Sequence, residues 1–104
     1  MSQNFRINAI PQQSVLVKSQ DYVRRYFRSS LSEISGVNRL VVVHCLSQYA
    51  FTQNQLSGIL SKSISTIRRD MQSADLLYEK SPNFCNLCKN MLSFINYYAN
   101  YRTR

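Results

Sequence analysis

Three hydrogen-bonding side chains stand close together in the sequence at Ser65, Thr66 and Arg68. Hydroxyl groups can bond to the edges of DNA bases, and an arginine can hold a guanine through two parallel hydrogen bonds. On a helix these positions fall within about one turn and can enter a groove together. We therefore predict that Ser65, Thr66 and Arg68 contact bases of double-stranded DNA.

Further cationic and hydroxyl side chains flank these positions and recur near residue 25. Such groups suit the phosphate backbone, which supplies much of the affinity of DNA-binding proteins. The residues predicted to contact phosphate are Lys62, Ser63, Arg69, Arg24, Arg25 and Arg28. An alternative for Arg69 is an ion pair with an acid such as Asp70 or Asp75.

The overall charge agrees with an anionic partner. Thirteen Lys and Arg against five Asp and Glu give a net charge of +8, dispersed from Arg6 to Arg104. Nucleic acid and an acidic membrane surface are both compatible with this excess. No apolar stretch approaches the roughly 18 residues of a membrane span, so we expect no membrane partner.

The expected compartment is the cytoplasm, at the nucleoid. The N-terminus lacks the basic start and apolar core of a secretory signal. Three cysteines in such a chain indicate free thiols in a reducing environment.

Apolar periodicity predicts an all-α fold, a single compact domain of five helices without a sheet. Only two glycines and two prolines occur, which disfavours a turn-rich β fold. We predict a loosely ordered arm over residues 1–17 and a helical domain over 18–104. The predicted helices run from Lys18 to Ser35-Gly36, where glycine would cap the C-terminus, and over residues 38–50, 53–60, 64–77 and 82–101. Ser81 suits an N-cap of the last helix, with Pro82 at its first position.

Residues 52–77 have the pattern of a helix-turn-helix. Thr52 suits an N-cap before the first helix, and Ser63 suits one before the second. Leu56, Leu60 and Ile67 are the predicted apolar anchors that hold the two helices. The second helix would lie in the major groove.

This segment resembles the DeoR type of bacterial repressor. Residues that match its L-x-V-S-x-x-T-I-R-R-D-L signature are Leu60, Ser63, Thr66, Ile67, Arg68, Arg69, Asp70 and Met71. Lys62 replaces the valine. The resemblance implies a winged helix, but residues 78–82 lead quickly into another helix, so we expect no wing.

The segment is also similar to the Trp-repressor type. Residues that match its Q-x-x-L-x-x-x-L-x-x-x-I-x-T-I-x-R pattern are Gln53, Leu56, Leu60, Ile64, Thr66, Ile67 and Arg69. In that family the arginine matching Arg69 helps to bind tryptophan. In that family a glycine follows this arginine, whereas this chain has Asp70, which would repel the carboxylate of the ligand. We therefore do not expect the chain to bind a corepressor. Both resemblances imply a bacterial transcriptional regulator.

Cysteine and histidine suggest a second kind of site. Cys85 and Cys88 form a CxxC, and His44 with Cys45 could complete a zinc set. We prefer buried thiols and a satisfied core or interface histidine, because the CxxC lies in a predicted helix beside apolar residues. No cofactor, no metal and no enzymatic activity are predicted.

The C-terminal helix, residues 82–101, is predicted to mediate a homodimer. Tyr97, Tyr98 and Tyr101 crowd its end, and aromatic residues are common at protein interfaces. The alternative is that this helix only closes the monomer's core. The rival function is a protein-interaction adaptor or anti-regulator that uses a basic helical surface.

Overall fold

The computed structural model describes residues 10–102, with side chains to residue 97. Its helices are α1 (Gln12–Tyr22, continued by a π-helical turn over Val23–Phe27), α2 (Gly36–Ser47), α3 (Gln53–Leu60), α4 (Ile64–Lys80) and α5 (Pro82–Arg102). No strand occurs in this part of the chain. The radius of gyration, 13.0 Å, is that of a compact domain of this length. The predicted all-helical fold of five helices is confirmed.

Helix α2 runs through the middle of the molecule. All six residues from Val41 to Leu46 are buried, because α1, α4 and α5 pack around this helix. A helix that is apolar on every side is expected only where neighbours surround it. The three consecutive valines are therefore helical, as predicted, despite their preference for strands.

The first helix begins at Gln12 and not at Lys18, so the predicted loose arm is wrong for residues 12–17. Val15, Ser19 and Tyr22 form its buried face, at helical spacing. The buried Ser19 hydroxyl donates to the Val15 carbonyl at 2.8 Å, so a polar residue is tolerated there. The expectation for residues 1–9 lies outside the described residues.

The first helix also ends earlier than predicted, at Phe27 rather than near Ser35. Arg28 has a φ of 53°, in the left-handed region, and turns the chain out of the π-helical segment. The sequence predicts a longer helix because Leu31 and Ile34 continue the helical spacing of apolar residues. Both are buried, but in the connection that follows the helix. Gly36, expected as a C-terminal cap, has a φ of +62° and instead opens α2.

Helix α5 packs against α1, α2 and α4 through a single apolar face. Phe84, Cys88, Met91 and Ile95 are buried at helical intervals. Ser81 accepts a hydrogen bond from the Phe84 amide at 3.2 Å, which is the predicted N-cap before a proline at the first helical position.

The connection from α4 to α5 leaves no room for a wing. Helix α4 extends to Lys80, and α5 begins at Pro82. Within residues 10–102 the β-hairpin implied by the DeoR resemblance is therefore missing. None of the described helices combines the length and the apolarity that crossing a membrane requires.

We predict that Leu56→Ala lowers the free energy of unfolding by about 2–5 kcal/mol, because a fully buried leucine leaves a cavity when truncated. Denaturant melts followed by circular dichroism would measure the loss. The matched control is Leu76→Ala, since Leu76 is 55% exposed and should lose far less. Equal losses at both positions would contradict the anchor role of Leu56.

Candidate nucleic-acid interface

Helix α3 starts with a complete capping box at Thr52 and Gln55. The Thr52 hydroxyl accepts from the Gln55 amide at 3.1 Å, and the Gln55 side chain accepts from the Thr52 amide at 2.9 Å. Reciprocal caps of this kind satisfy two backbone donors and define where a helix begins. This short helix therefore has a fixed start, and Leu56 and Leu60 on it are fully buried.

The turn between α3 and α4 is closed by hydrogen bonds to Ser57. Ser61 takes the left-handed conformation, with a φ of 56°. The Lys62 amide donates to the Ser57 carbonyl at 3.1 Å, and the Ser57 hydroxyl donates to the Lys62 carbonyl at 2.5 Å. These two bonds hold the turn although residue 62 is a half-buried lysine and not an apolar residue.

Helix α4 begins with a hydroxyl pair. The Ser63 hydroxyl accepts from the Thr66 amide at 3.2 Å and donates to the Thr66 hydroxyl at 3.1 Å. Ser63 is thus the predicted N-cap. Thr66 is half-buried and already engaged by Ser63, whereas Ser65 is exposed.

One side of α4 is polar, cationic and exposed. We call this surface the α4 face; it consists of Ser65, Arg68, Arg69 and Gln72. The opposite side is buried through Ile67, which anchors α4 as Leu56 and Leu60 anchor α3. Neither arginine forms a hydrogen bond or an ion pair within the part of the chain described.

A buried ion pair attaches α4 to α2. The Arg39 guanidinium donates from Nε to one Asp70 carboxylate oxygen at 2.7 Å, and from Nη2 to the other at 3.1 Å. The Asp70 side chain is only 9% exposed and that of Arg39 19%. The suggested pairing of Arg69 with Asp70 is therefore wrong, because Arg39 occupies both carboxylate oxygens.

The second cationic cluster lies on a different element. Arg24 and Arg25 both pair with Asp21, at 3.4 and 3.2 Å, and all three residues are accessible to solvent. Arg28 is exposed at the end of the π-helical turn. The main neighbours of α4 are α2, α3 and α5, so this cluster is separate from the α4 face.

His44 lies on α2 and faces the C-terminal half of α4. Its ring stacks on Tyr78 with centroids 4.2 Å apart and an interplanar angle of 16°. The ring is buried, as expected of a core histidine, but its Nδ1 has no hydrogen-bond partner among the described residues, so the expectation of a satisfied ring is wrong at this atom. Burial lowers the pKa of His44 from its ordinary 6.5, and the Asp75 carboxylate opposes part of this shift.

Cys45 of α2 and Cys88 of α5 lie where these two helices pack together, whereas Cys85 is only half-buried, so the prediction of buried thiols is wrong for Cys85. Cys45 and Cys88 are fully buried, and the Cys45 thiol donates to the Cys88 carbonyl at 3.4 Å. Contact with the Cys88 side chain and burial raise the pKa of the Cys45 thiol, which suits packing and not nucleophilic chemistry. Within the described residues, no three His, Cys, Asp or Glu side chains are grouped so that they could hold a metal ion.

Two residues of this region were not identified from the sequence. Gln72 follows Arg68 and Arg69 on the exposed side, and continuing the helical spacing past Arg69 would have found it. Arg39 could not have been found in that way, since its partner lies 31 residues further along the chain. The side chains of Tyr98 and Tyr101, predicted at a dimer interface, lie outside the described residues.

Comparisons with known proteins identify no family for this chain. A scan against protein-family models, a search of curated proteins and a search of solved structures each find no match. The two bacterial resemblances therefore stay predictions from short motifs. A function for the α4 face has to be inferred from its own geometry and charge.

We predict that Arg39→Met lowers the free energy of unfolding by about 3–5 kcal/mol, because Asp70 would keep a buried charge without a partner. Urea melts at neutral pH would measure the loss. Arg25→Met is the matched control, since it removes an exposed pair that contributes at most about 1 kcal/mol. The double variant Arg39→Met/Asp70→Leu should regain most of the loss; a double variant as unstable as Arg39→Met would contradict this explanation.

We predict that the protein loses stability as the pH falls through 6.5, because the unfolded chain then binds a proton that buried His44 resists. The loss should level off below the lowered pKa of the folded state. Urea melts between pH 5 and 8 would reveal it. The chain has one histidine, so His44→Phe should remove this dependence while keeping the ring stacked on Tyr78. An unchanged pH profile in His44→Phe would exclude His44 as the cause.

Proposed function

We propose that this protein is a sequence-specific DNA-binding regulator of transcription that inserts the N-terminal half of α4 into the major groove. The observation that carries the proposal is the α4 face, where two exposed arginines without ion-pair partners in the described residues lie beside Ser65 and Gln72. The groove is about 12 Å wide and admits one helix.

The local geometry supports this orientation of α4. Capped helix starts at Thr52 and Ser63, together with the turn closed by Ser57, hold α3 and α4 in a fixed relation. Rigid elements place base-contacting side chains more reproducibly than loops do. A three-residue connection between two helices is also typical of DNA-binding helix pairs.

The two arginines of the α4 face take different roles. Neighbouring residues on a helix point about 100° apart, so Arg68 and Arg69 cannot both address one base pair. We assign a base contact to Arg68 and a phosphate contact to Arg69. Ser65, whose hydroxyl has no hydrogen-bond partner within the described residues, offers it to a base edge. Thr66, whose hydroxyl is engaged by Ser63, has its methyl group available for a thymine methyl.

The remaining cations would contact the backbone on either side of the groove. Lys62 lies in the turn before α4, next to the end of the helix that we propose enters the major groove. Arg24 and Arg25 share the single carboxylate of Asp21, so a surplus positive charge remains there for phosphate. Together with the net charge of +8, these residues favour an anionic polymer over a neutral partner.

Salt dependence of binding tests the proposal against a protein-interaction adaptor. Affinity for mixed-sequence duplex DNA should fall linearly in a log-log plot against salt concentration, with a steep slope. Selection from a random duplex pool should then return one enriched site. A protein that binds no duplex even at low salt, and enriches no sequence, would refute DNA regulation and favour the adaptor.

We predict that Arg68→Ala weakens binding to the selected site by about 1–3 kcal/mol and relaxes the preference at one base pair. Arg69→Ala should weaken binding to all duplexes alike and reduce the salt slope by about one. Electrophoretic mobility shifts or fluorescence anisotropy would measure both. Lys89→Ala is the matched control, because Lys89 is an exposed cation on α5 that is not part of the α4 face. Loss in the control as large as in Arg68→Ala would show that only total charge matters.

A further inference from the structure

An aromatic patch lies where the end of α1 meets α5. We define the aromatic patch by its lining residues, Tyr22, Tyr26, Asn90, Ser93, Phe94 and Tyr97. Tyr26 is 58% exposed and Tyr97 62%, although both are large aromatic residues. The DNA-binding surface proposed above does not use this patch, since the α4 face lies on another helix.

The rings of the patch form a preorganised cluster. Tyr22 packs on Tyr26 at 4.6 Å with a tilt of 37°, and Phe94 meets both rings edge-on, at 5.2 and 6.0 Å. The π-helical turn Val23–Phe27 carries Tyr26. Insertions of this kind into helices are rare and occur often at functional sites. A rigid, exposed aromatic cluster loses little conformational entropy when a partner covers it.

The chemistry of the patch selects a protein partner over a nucleic acid. Its lining, as far as the structure describes it, contains no charged residue in a chain of net charge +8. Binding of a single strand requires a positively charged groove beside open ring faces. Here the rings are tilted or edge-on to each other, and the cations next to them in the sequence, Arg25 and Lys89, are not among the lining residues.

We propose that the aromatic patch binds the same patch of a second copy, giving a homodimer with twofold symmetry. In a twofold contact the donors of a surface must meet acceptors of the same surface, and Tyr hydroxyl, Ser hydroxyl and Asn amide groups supply both kinds. Because the described lining carries no charge, contact between two patches adds no repulsion of its own between two cationic chains.

The exposed tyrosines cover under a third of a standard interface, so the proposed dimer is a weak one. Each exposed tyrosine offers somewhat more than half of the roughly 200 Å² of an aromatic side chain, so the two contribute roughly 240 Å² per copy. A standard interface buries about 800 Å² per partner. The tyrosines would thus be the central anchors, with Asn90 and Ser93 at the surrounding rim.

A homodimer through the aromatic patch also suits the proposed DNA-binding function, and the role we give the dimer rests on that function. The patch is built from α1 and α5, whereas the α4 face is built from α4, so docking of two patches uses no residue of either α4 face. A twofold dimer would present two such faces to two half-sites of a DNA site.

The test is sedimentation equilibrium of the full chain without DNA, over low to high micromolar concentrations. We expect a monomer–dimer equilibrium that Tyr26→Glu weakens at least tenfold, since two carboxylates would face each other across the axis. Tyr97→Glu, on the other helix, should do the same and provides a second variant if the first does not fold. Val37→Glu is the matched control, because Val37 is 53% exposed and outside the patch.

A wild-type protein that stays monomeric, or patch variants that dimerise like Val37→Glu, would overturn the dimer. A tyrosine-dependent affinity for oligothymidylate equal to that for duplex DNA would also overturn it, in favour of a single-strand site. Binding to mixed duplex at low salt, measured on the same variants, separates the two proposals. If a monomeric protein binds duplex DNA, the homodimer through the aromatic patch is refuted and the DNA-binding function is not. If the protein dimerises but binds no duplex DNA, only the DNA-binding function is refuted.

Discussion

The ion pair between Arg39 and Asp70 sets how α4 is rotated about its own axis. Asp70 lies next to Arg69 in the sequence, and Arg39 holds its carboxylate against α2 through two hydrogen bonds. With Asp70, Ile67 and Ala74 buried on one side of α4, Arg68 and Arg69 lie on the exposed side. A bidentate arginine specifies direction as well as distance, which an apolar contact at the same place would not do. The orientation of the α4 face therefore depends on a residue of the central helix.

The local signals of this fold were predictable because they depend on neighbours in the sequence. Thr52, Ser63 and Ser81 were expected as N-caps, and each accepts the expected backbone hydrogen bond. Leu56 and Ile67 were expected inside, and their spacing along α3 and α4 is sufficient to place them there. Capping and amphipathic spacing act within one or two turns, so a single sequence contains them.

The features that were not predictable depend on contacts between distant segments. The polar residues at the start of α1 do not indicate a helix in the sequence, although the helix begins there and its Val15 packs into the core. The left-handed conformation at Arg28 ends that helix at a residue type that does not normally signal a stop. The partner of Asp70 and the unsatisfied Nδ1 of His44 likewise depend on how α2 packs against α4. The exposure of Arg68 was expected, whereas the contact that enforces it was not.

The placement of charge connects the two proposed surfaces. Cations populate the α4 face and the end of α1, while the aromatic patch between α1 and α5 has an uncharged lining. Two free copies, each with a net charge of +8, repel one another as they approach. Phosphates would neutralise part of that charge, so bound DNA would strengthen the contact between patches. By linkage, a dimer formed through the patches would bind DNA more tightly by the same factor. A modest aromatic contact is then sufficient, because the DNA removes the repulsion that opposes it.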